Sequence, residues 1–286
     1  MNPDDDTLTD PNVPVFAPLL GCKPDTIDER DFRYETSDLV ATAPVVTKSS
    51  IDSRHFDPYP RILQIAQDCT GHGGGSTIVC AARAAGHTIK KPSSLFLYSN
   101  AQLLEPIQAG RPRLLDIGAR LRNLFKAVAP KKNPQDDAEL AGYGVIAEER
   151  WPEIPANVSV APPEDCYRAG ENATVKAYHR IPDGKTSPEL LLAALQREQF
   201  STICIMWDDQ AINIGSQVYK APAGTVYGGH CLSVQGYLDS LNAFIVRNSH
   251  GPEFGFEGGY MLLHWDYVAR HSFDKWVPTV APEVIT

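Results

Sequence analysis

Residues 228–268 constrain the fold of this chain more than any other stretch. They read GGHCLSVQGYLDSLNAFIVRNSHGPEFGFEGGYMLLHWDYV, with apolar runs on either side of the turn-like LDSLN. Two such runs around a short polar turn are typical of an antiparallel hairpin. His230 opens the first run and Asn248 ends the second, so a hairpin would bring these two side chains together.

A histidine and an asparagine held side by side can support nucleophilic catalysis. The side-chain oxygen of Asn248 can accept one ring N–H of His230, which holds the imidazole in one tautomer and leaves the other nitrogen to act as a base. A cysteine thiol is a nucleophile suited to such a base. A structural histidine and an asparagine turn on an ordinary hairpin are the other interpretation of the same residues.

The rest of the chain predicts helices first and strands last. Helices are expected at residues 93–104 with a serine cap, after a possible cap at Asp116, and at residues 187–199 with a proline in the first turn. From Ser201 onward the runs have the length and alternation of strands. This order predicts the α+β class.

Small residues dominate residues 69–89, CTGHGGGSTIVCAARAAGHTI. Each glycine costs an isolated helix up to ~1 kcal/mol relative to alanine, so a helix here has to be buried with neighbouring backbone close to it. A glycine loop followed by a short helix from about Thr77 is the alternative. Residues 1–55 show no sustained apolar period, which predicts an extended arm over a domain formed by residues 56–286.

Residues 228–268 resemble the C-terminal half of the papain-like cysteine peptidases. That family has a Gly-His opening a strand, a Gly-Tyr, an Asn-Ser-Trp-Gly and a second Gly-Tyr, and this chain has GH, GY, NSHG and GY in the same order. His250 stands where the family has a tryptophan that shields the His-Asn pair from water. Upstream, KPDTIDERDFRYE, PSSLFLYSNAQ and the series Gly144, Val145, Glu148, Trp151 and Pro152 resemble bacterial members.

The resemblance implies a two-lobed papain-like fold. A helical lobe would span about residues 56–180 and a β-rich lobe about residues 181–286, with the active-site cleft between them. It implies a cysteine peptidase that acts on peptide or protein substrates and requires no metal or organic cofactor. An acyl-transfer enzyme that ligates or cyclises peptides and an inactive binding protein are the alternatives on the same fold.

Two positions compete for the nucleophile. CTGHG resembles a bacterial variant of the family motif that begins with the catalytic cysteine, which makes Cys69 the partner of His230 and Asn248. Gln64, five positions earlier, would then give its side-chain amide to the oxyanion hole, across a loop one residue shorter than the family's. In the second assignment Ser76 occupies the nucleophile position, where a hydroxyl would react poorly with this kind of base.

Composition limits the expected partners and location. The net charge of −9 and the lack of a clustered basic face disfavour nucleic acid, and the apolar runs are too short to span a bilayer. The acidic start lacks the features of a secretory signal, and six sparse cysteines are read as reduced thiols, so we expect a cytoplasmic protein. His72 with His230 and Cys231 fits no common zinc spacing, so no metal site is expected.

Overall fold

The computed structural model describes residues 19–40, 48–111, 113–130, 142–171 and 175–280. Residues 1–18 and 41–47 of the expected arm lie outside them. The helices are α1 (Cys69–Ala84), α2 (Ser94–Leu103), α3 (Leu121–Val128), α4 (Glu164–Gly170), α5 (Ser187–Leu195), α6 (Asp209–Ile212) and α7 (Trp265–Arg270). The strands are β1 (Cys22–Lys23), β2 (Ile51–Asp52), β3 (Ala119–Arg120), β4 (Val175–Ile181), β5 (Ser201–Asp208), β6 (Val218–Tyr219), β7 (Val226–Leu238), β8 (Ala243–Arg247), β9 (Tyr260–His264) and β10 (Phe273–Val280).

The strands of the described residues form one sheet. Its order is β4, β10, β5, β7, β8, β9 and β6, and neighbours are antiparallel except β6 and β9. The short strands β1 and β2, both from the arm, pair with β7, and β1 also pairs in parallel with β3. Helices precede most of this largely antiparallel sheet in the chain, so the predicted α+β class is confirmed.

The hairpin predicted around LDSLN is formed by β7 and β8. The strands pair antiparallel up to Leu238 and Ala243, and the turn between them ends at Asn242 with a φ of 48°. Asparagine adopts this left-handed conformation more readily than most residues, which explains its place in the turn. The next strand, β9, ends at His264, because α7 begins at Trp265.

Helix α1 is buried along most of its length, as the glycine-rich segment predicts. A Cβ added at Gly71 would lie 2.1 Å from the carbonyl oxygen of Ser94, and one at Gly73 would lie 3.2 Å from the backbone of β7. Helix α2 and strand β7 therefore approach α1 where no side chain fits between them. The helix begins at Cys69, which corresponds to the buried-helix interpretation and not to a loop with a later helix.

The next two helices begin differently from one another. Ser93 caps α2 as predicted, since its Oγ accepts a backbone N–H at 3.0 Å. Helix α3 begins at Leu121, and Asp116 does not cap it. The Asp116 carboxylate instead accepts hydrogen bonds from the backbone N–H of Gln67 at 3.0 Å and the hydroxyl of Tyr98 at 2.6 Å. Partners distant in the chain thus take the place of the expected local cap.

Two hydrophobic cores flank α1. One contains the inner faces of α2 and α3, and the other contains residues of β5, β7, β8 and β9 under α5 and α7. Strand β7 contributes to both, since Cys231 packs into the first core and Leu232 into the second. Strand β4 ends at Ile181, where the β-rich lobe is expected to begin. Among the described residues, no helix has the length and apolar character needed to cross a bilayer.

Candidate active site

Cys69 is the first residue of α1 and is fully buried. The first N–H groups of a helix lack intrahelical acceptors and concentrate partial positive charge at this end. That environment favours a thiolate over a thiol. The fold therefore gives Cys69 a backbone position suited to a reactive sulfur.

His230 and Asn248 meet as the hairpin pattern predicts. His230 Nε2 lies 2.7 Å from Asn248 Oδ1, and both side chains are buried. The backbone N–H of Ser249 also donates to Oδ1 at 2.7 Å, which orients the amide so that its oxygen faces the imidazole. Since Oδ1 can only accept, Nε2 carries the proton and Nδ1 is the ring nitrogen left for Cys69.

The surroundings of Cys69 change its acidity. Burial by itself raises the pKa of the Cys69 thiol, but hydrogen bonds from Cys231 and His230 outweigh burial and place the pKa well below its usual value. In contrast, burial raises the pKa of Cys80, in the same helix, well above its usual value. Only one of these two thiols in α1 therefore has the electrostatic environment of a nucleophile.

Trp207 is a member of the site that the sequence did not reveal. Its ring centroid lies 4.7 Å from that of His230 and 4.7 Å from that of His250, and the two imidazoles stack on each other. Burial and the neighbouring histidines lower the pKa of His250 to about 2, so this ring is neutral. A buried tryptophan from β5 and a neutral imidazole thus enclose His230 and exclude water from its bond to Asn248.

Gln64 lies close to the start of α1, but its amide hydrogens are engaged. Nε2 donates to the carbonyl oxygens of Leu19 and Ala66, and Oε1 accepts from the hydroxyl of Ser249. The bond to Leu19 comes from the N-terminal arm. The amide thus already binds a carbonyl oxygen, although this oxygen belongs to the chain itself.

Ser76 occupies a different environment from Cys69. It is seven residues further along α1, about 10 Å at 1.5 Å per residue. Its hydroxyl donates to Asp57 Oδ2 at 2.5 Å and accepts from Gln235 Nε2 at 2.8 Å. Arg247 adds an ion pair to Asp57 at 3.3 Å. Ser76 thus belongs to a buried polar network with no member of the His230 pair in it.

A buried charge cluster lies beside Cys69. His72 Nε2 is 3.0 Å from Glu153 Oε2 and 3.4 Å from Asp68 Oδ2. Burial lowers the pKa of His72, but these two carboxylates raise it to about 10, so the ring is protonated at neutral pH. The three side chains also have the spacing of a metal site. The sequence contained no signal linking Glu153 to His72.

The described part of the arm pairs with β7 and β3 next to the site. Cys22 of β1 pairs with Gly229, the residue before His230, and Ala119 of β3 donates its N–H to Gly21 at 2.8 Å. A Cβ at Gly229 would lie 2.1 Å from the carbonyl oxygen of Cys22, so the glycine allows the approach. The described part of the arm therefore lies against β7 directly beside His230.

Comparison with known proteins places this geometry in a known fold. No protein-family model matches the chain. An uncharacterised peptidase C1-like protein of Acanthamoeba polyphaga mimivirus is 26% identical over 198 residues, which is 65% of this chain and 58% of that protein. The chain thus spans less than two thirds of that relative.

Solved structures are similar over most of the chain. Xylellain, a cysteine protease from Xylella fastidiosa, has a TM-score of 0.74 at 23% identity and covers 93% of this chain and 97% of its own. Procathepsin B from Trypanosoma congolense has a TM-score of 0.64 at 15% identity, and the match covers 93% of this chain and 88% of procathepsin B. Bromelain from Ananas comosus has a TM-score of 0.61 at 16% identity, and the match covers 82% of this chain and 100% of bromelain. The papain-like fold predicted from the sequence is therefore confirmed.

Proposed function

We propose that this protein is a cysteine peptidase that hydrolyses peptide bonds, with Cys69 as nucleophile, His230 as acid and base, and Asn248 as the residue that orients the imidazole. One observation carries the proposal. His230 Nε2 lies 2.7 Å from Asn248 Oδ1 in a buried pair, and Cys69, at the start of α1, interacts electrostatically with the same imidazole. These are the parts that thiol acyl chemistry requires.

The acylation step begins with a thiolate on Cys69 and a protonated His230. The sulfur attacks the carbonyl carbon of the substrate, and the carbonyl π electrons move to the oxygen. The tetrahedral intermediate collapses as the C–N bond breaks, and the leaving amine takes the proton from His230 Nδ1. The product is a thioester on Cys69 and a neutral imidazole, still held by Asn248 through Nε2.

The deacylation step restores the starting state. His230 Nδ1 takes a proton from water, the oxygen attacks the thioester carbon, and Cys69 leaves as a thiolate. Its low pKa makes it a good leaving group. If an amine attacks in place of water, the same site ligates or cyclises peptides, so the reaction outcome depends on what reaches the thioester.

Stabilisation of the oxyanion is assigned to the start of α1 and to Gln64. The free N–H groups of the first helical turn suit a developing negative charge. Gln64 Nε2 now donates to the carbonyl of Leu19, and we propose that a substrate carbonyl takes that place when the arm shifts. Ser76, the alternative nucleophile, has less support because its hydroxyl is bonded to Asp57 and Gln235.

The test uses the full chain and an unfolded protein as substrate. We expect wild type and the matched control Cys80→Ala to cleave it, Cys69→Ala to be inactive, and His230→Ala to be at least ~100-fold slower. Mass spectrometry of the products separates hydrolysis, which adds water at each new carboxyl end, from ligation. A thiol-reactive epoxide should modify Cys69 in wild type and leave Cys80 untouched.

The outcomes separate the competing functions. Cleavage by Cys69→Ala at the wild-type rate would remove Cys69 as nucleophile. A folded wild-type protein that neither cleaves the substrate nor reacts with the epoxide would support an inactive binding protein. Ligated products without hydrolysis would support acyl transfer.

A further inference from the structure

Four buried thiols from four separate elements form a continuous chain of contacts. Cys22 Sγ of β1 lies 2.9 Å from Cys204 Sγ of β5, which lies 3.0 Å from Cys231 Sγ of β7. Cys231 packs against the turn of α1 that begins at Cys69, where a Cβ added at Gly73 would lie 3.3 Å from the Cys231 Cβ, and the two thiols interact electrostatically. All four are at most 5% exposed. The chain of contacts therefore joins the proposed nucleophile to the N-terminal arm.

The distances favour a covalent bond over a bound metal ion. Two thiolates that share a tetrahedral zinc ion at ~2.3 Å lie about 3.8 Å apart, so this cluster would have to expand by roughly 0.8 Å. A disulfide of ~2.05 Å requires an approach of about 0.9 Å, from sulfurs already in contact.

Two of the thiols are held rigidly and one is not. Cys204 and Cys231 face each other in register within the antiparallel ladder of β5 and β7. The ladder resists closer approach, so a disulfide between them would be strained and easily exchanged. Cys22 lies on the two-residue strand β1, which pairs with β7 through a single residue. A bond between Cys22 and Cys204 is therefore the most relaxed product.

We propose that this thiol chain is a site of oxidative modification by hydroperoxides, in which Cys69 is oxidised first and the resulting disulfide is passed on until Cys22 is bonded to Cys204. The final bond attaches the arm covalently to the central sheet, where β1 already pairs with β7 beside His230. A regulatory consequence follows, because a fixed arm would keep the Gln64 amide on the Leu19 carbonyl and away from a substrate; this consequence rests on the proposed function.

The steps balance in atoms and electrons. The Cys69 thiolate attacks the hydroperoxide, which forms the sulfenic acid and releases an alcohol or water. The Cys231 thiol condenses with the sulfenic acid, which forms the Cys69–Cys231 disulfide and releases water. Each hydroperoxide therefore accepts two electrons, one from each sulfur of the new bond.

Two exchanges then move the disulfide along the chain of contacts. Cys204 attacks the Cys231 sulfur and expels Cys69, which leaves readily because it is stable as a thiolate. Cys22 then attacks the Cys204 sulfur and expels Cys231, which takes the proton that Cys22 gives up. The net change is two thiols and one hydroperoxide converted to the Cys22–Cys204 disulfide, an alcohol or water, and one further water.

The test maps disulfides in the reduced full-length protein after treatment with a slight molar excess of hydrogen peroxide. Free thiols are alkylated, the protein is digested without reductant, and the peptides are identified by mass. We expect a linked pair of peptides containing Cys22 and Cys204, with Cys69 recovered as an alkylated thiol. Cys80 and Cys166 belong to other packing clusters and act as internal controls.

A variant tests the route. In Cys231→Ala, Cys69 has no neighbour to condense with, so we expect at least a tenfold lower yield of the Cys22–Cys204 bond and oxidation of Cys69 beyond the sulfenic acid. Cys80→Ala should behave as wild type. The disulfide map of peroxide-treated wild type does not depend on this variant. The proposal therefore stays testable if the Cys231 variant does not fold.

Three results would overturn the proposal. These are six alkylated thiols after peroxide, over-oxidised Cys69 without any disulfide in wild type, or a stoichiometric zinc or copper ion on the purified protein that blocks alkylation of Cys22, Cys204 and Cys231. Each of these three results is measured without an assay of peptide cleavage. Failure of the proposed peptidase function would appear separately, as absence of epoxide labelling in the reduced protein.

Discussion

The indole of Trp207 lies edge-on against the imidazole of His230, with 4.7 Å between their ring centroids. Trp207 is fully buried and comes from β5, where it faces Gly228 across the sheet. The resemblance to papain-like peptidases leads one to look for a shielding tryptophan two residues after Asn248, where this chain has His250. Here a tryptophan from another strand covers the His-Asn pair, so the histidine at that position does not expose the site.

We expect Trp207→Ala to damage both activity and stability. Removing a buried tryptophan costs about 3–5 kcal/mol of unfolding free energy, and water admitted beside His230 competes for its bond to Asn248. We expect kcat to fall at least tenfold, whereas Trp207→Phe keeps an aromatic edge at His230 and should lose much less. A folded Trp207→Ala protein with wild-type kcat would contradict the shielding role.

Asn248→Ala should slow the reaction without preventing binding. The variant leaves Nε2 of His230 without its acceptor, so the ring loses its fixed orientation, and misplacement of a catalytic group by ~1 Å can cost about 100-fold in rate. We expect single-turnover acylation by an activated peptide ester to fall by roughly that factor with little change in KM. An unchanged rate, or a loss confined to KM, would assign Asn248 to substrate binding instead.

The charge cluster beside Cys69 should be sensitive to loss of one partner. Glu153→Gln leaves the His72 imidazolium without its nearest carboxylate, and breaking a buried ion pair typically costs 3–5 kcal/mol. The matched control is Glu149→Gln, since Glu149 pairs with Lys90 at 3.8 Å on the surface and should contribute little. Chemical denaturation compares the two. Equal stability of both variants and wild type would show that the buried cluster does not stabilise the fold.

Attachment of the arm should weaken as pH rises. Burial and the nearby Asp274 carboxylate raise the pKa of Asp25 to about 7, against ~3.9 in an unfolded chain. Between about pH 4 and about pH 7, Asp25 holds a proton in the folded protein that it has lost in the unfolded chain. The contribution of Asp25 to the free energy of unfolding therefore falls over this range, and none of it remains at higher pH.

Asp25→Asn isolates that contribution. The variant should flatten the fall in unfolding free energy between pH 4 and pH 7, whereas a control variant at the exposed Asp239 should keep the wild-type slope. Urea denaturation at several pH values measures both. A wild-type slope in Asp25→Asn would show that the carboxyl group of Asp25 titrates normally.

The sequence predicted those parts of the fold and site that depend on local pattern. Alternation around a polar turn predicted the hairpin that joins His230 to Asn248, and the small residues after Cys69 predicted a buried helix. Both signals are local, because the periodicity of a strand or a helix depends only on residues that are neighbours in the sequence. The catalytic roles assigned to Cys69, His230, Asn248 and Gln64 stay predictions.

The parts that the sequence did not reveal depend on contacts between distant residues. Asp116 looks like a helix cap, yet tertiary partners bind its carboxylate. Trp207 lies in an apolar run where any large residue would fit a buried strand, so nothing marks it as a neighbour of His230. The same holds for Cys22 and Cys204, which lie 182 positions apart and meet only after the arm pairs with β7.

The central claim is that Cys69 exists as a thiolate paired with the imidazolium of His230, and the ultraviolet absorbance of the thiolate measures this directly. The titration compares wild type, Cys69→Ala and His230→Ala between about pH 4 and pH 9, across the range in which paired cysteines ionise. We expect wild type to show one thiolate at pH 6 that both variants lack. Equal absorbance in all three proteins until the pH approaches ~8.5, the value for a free thiol, would contradict the account.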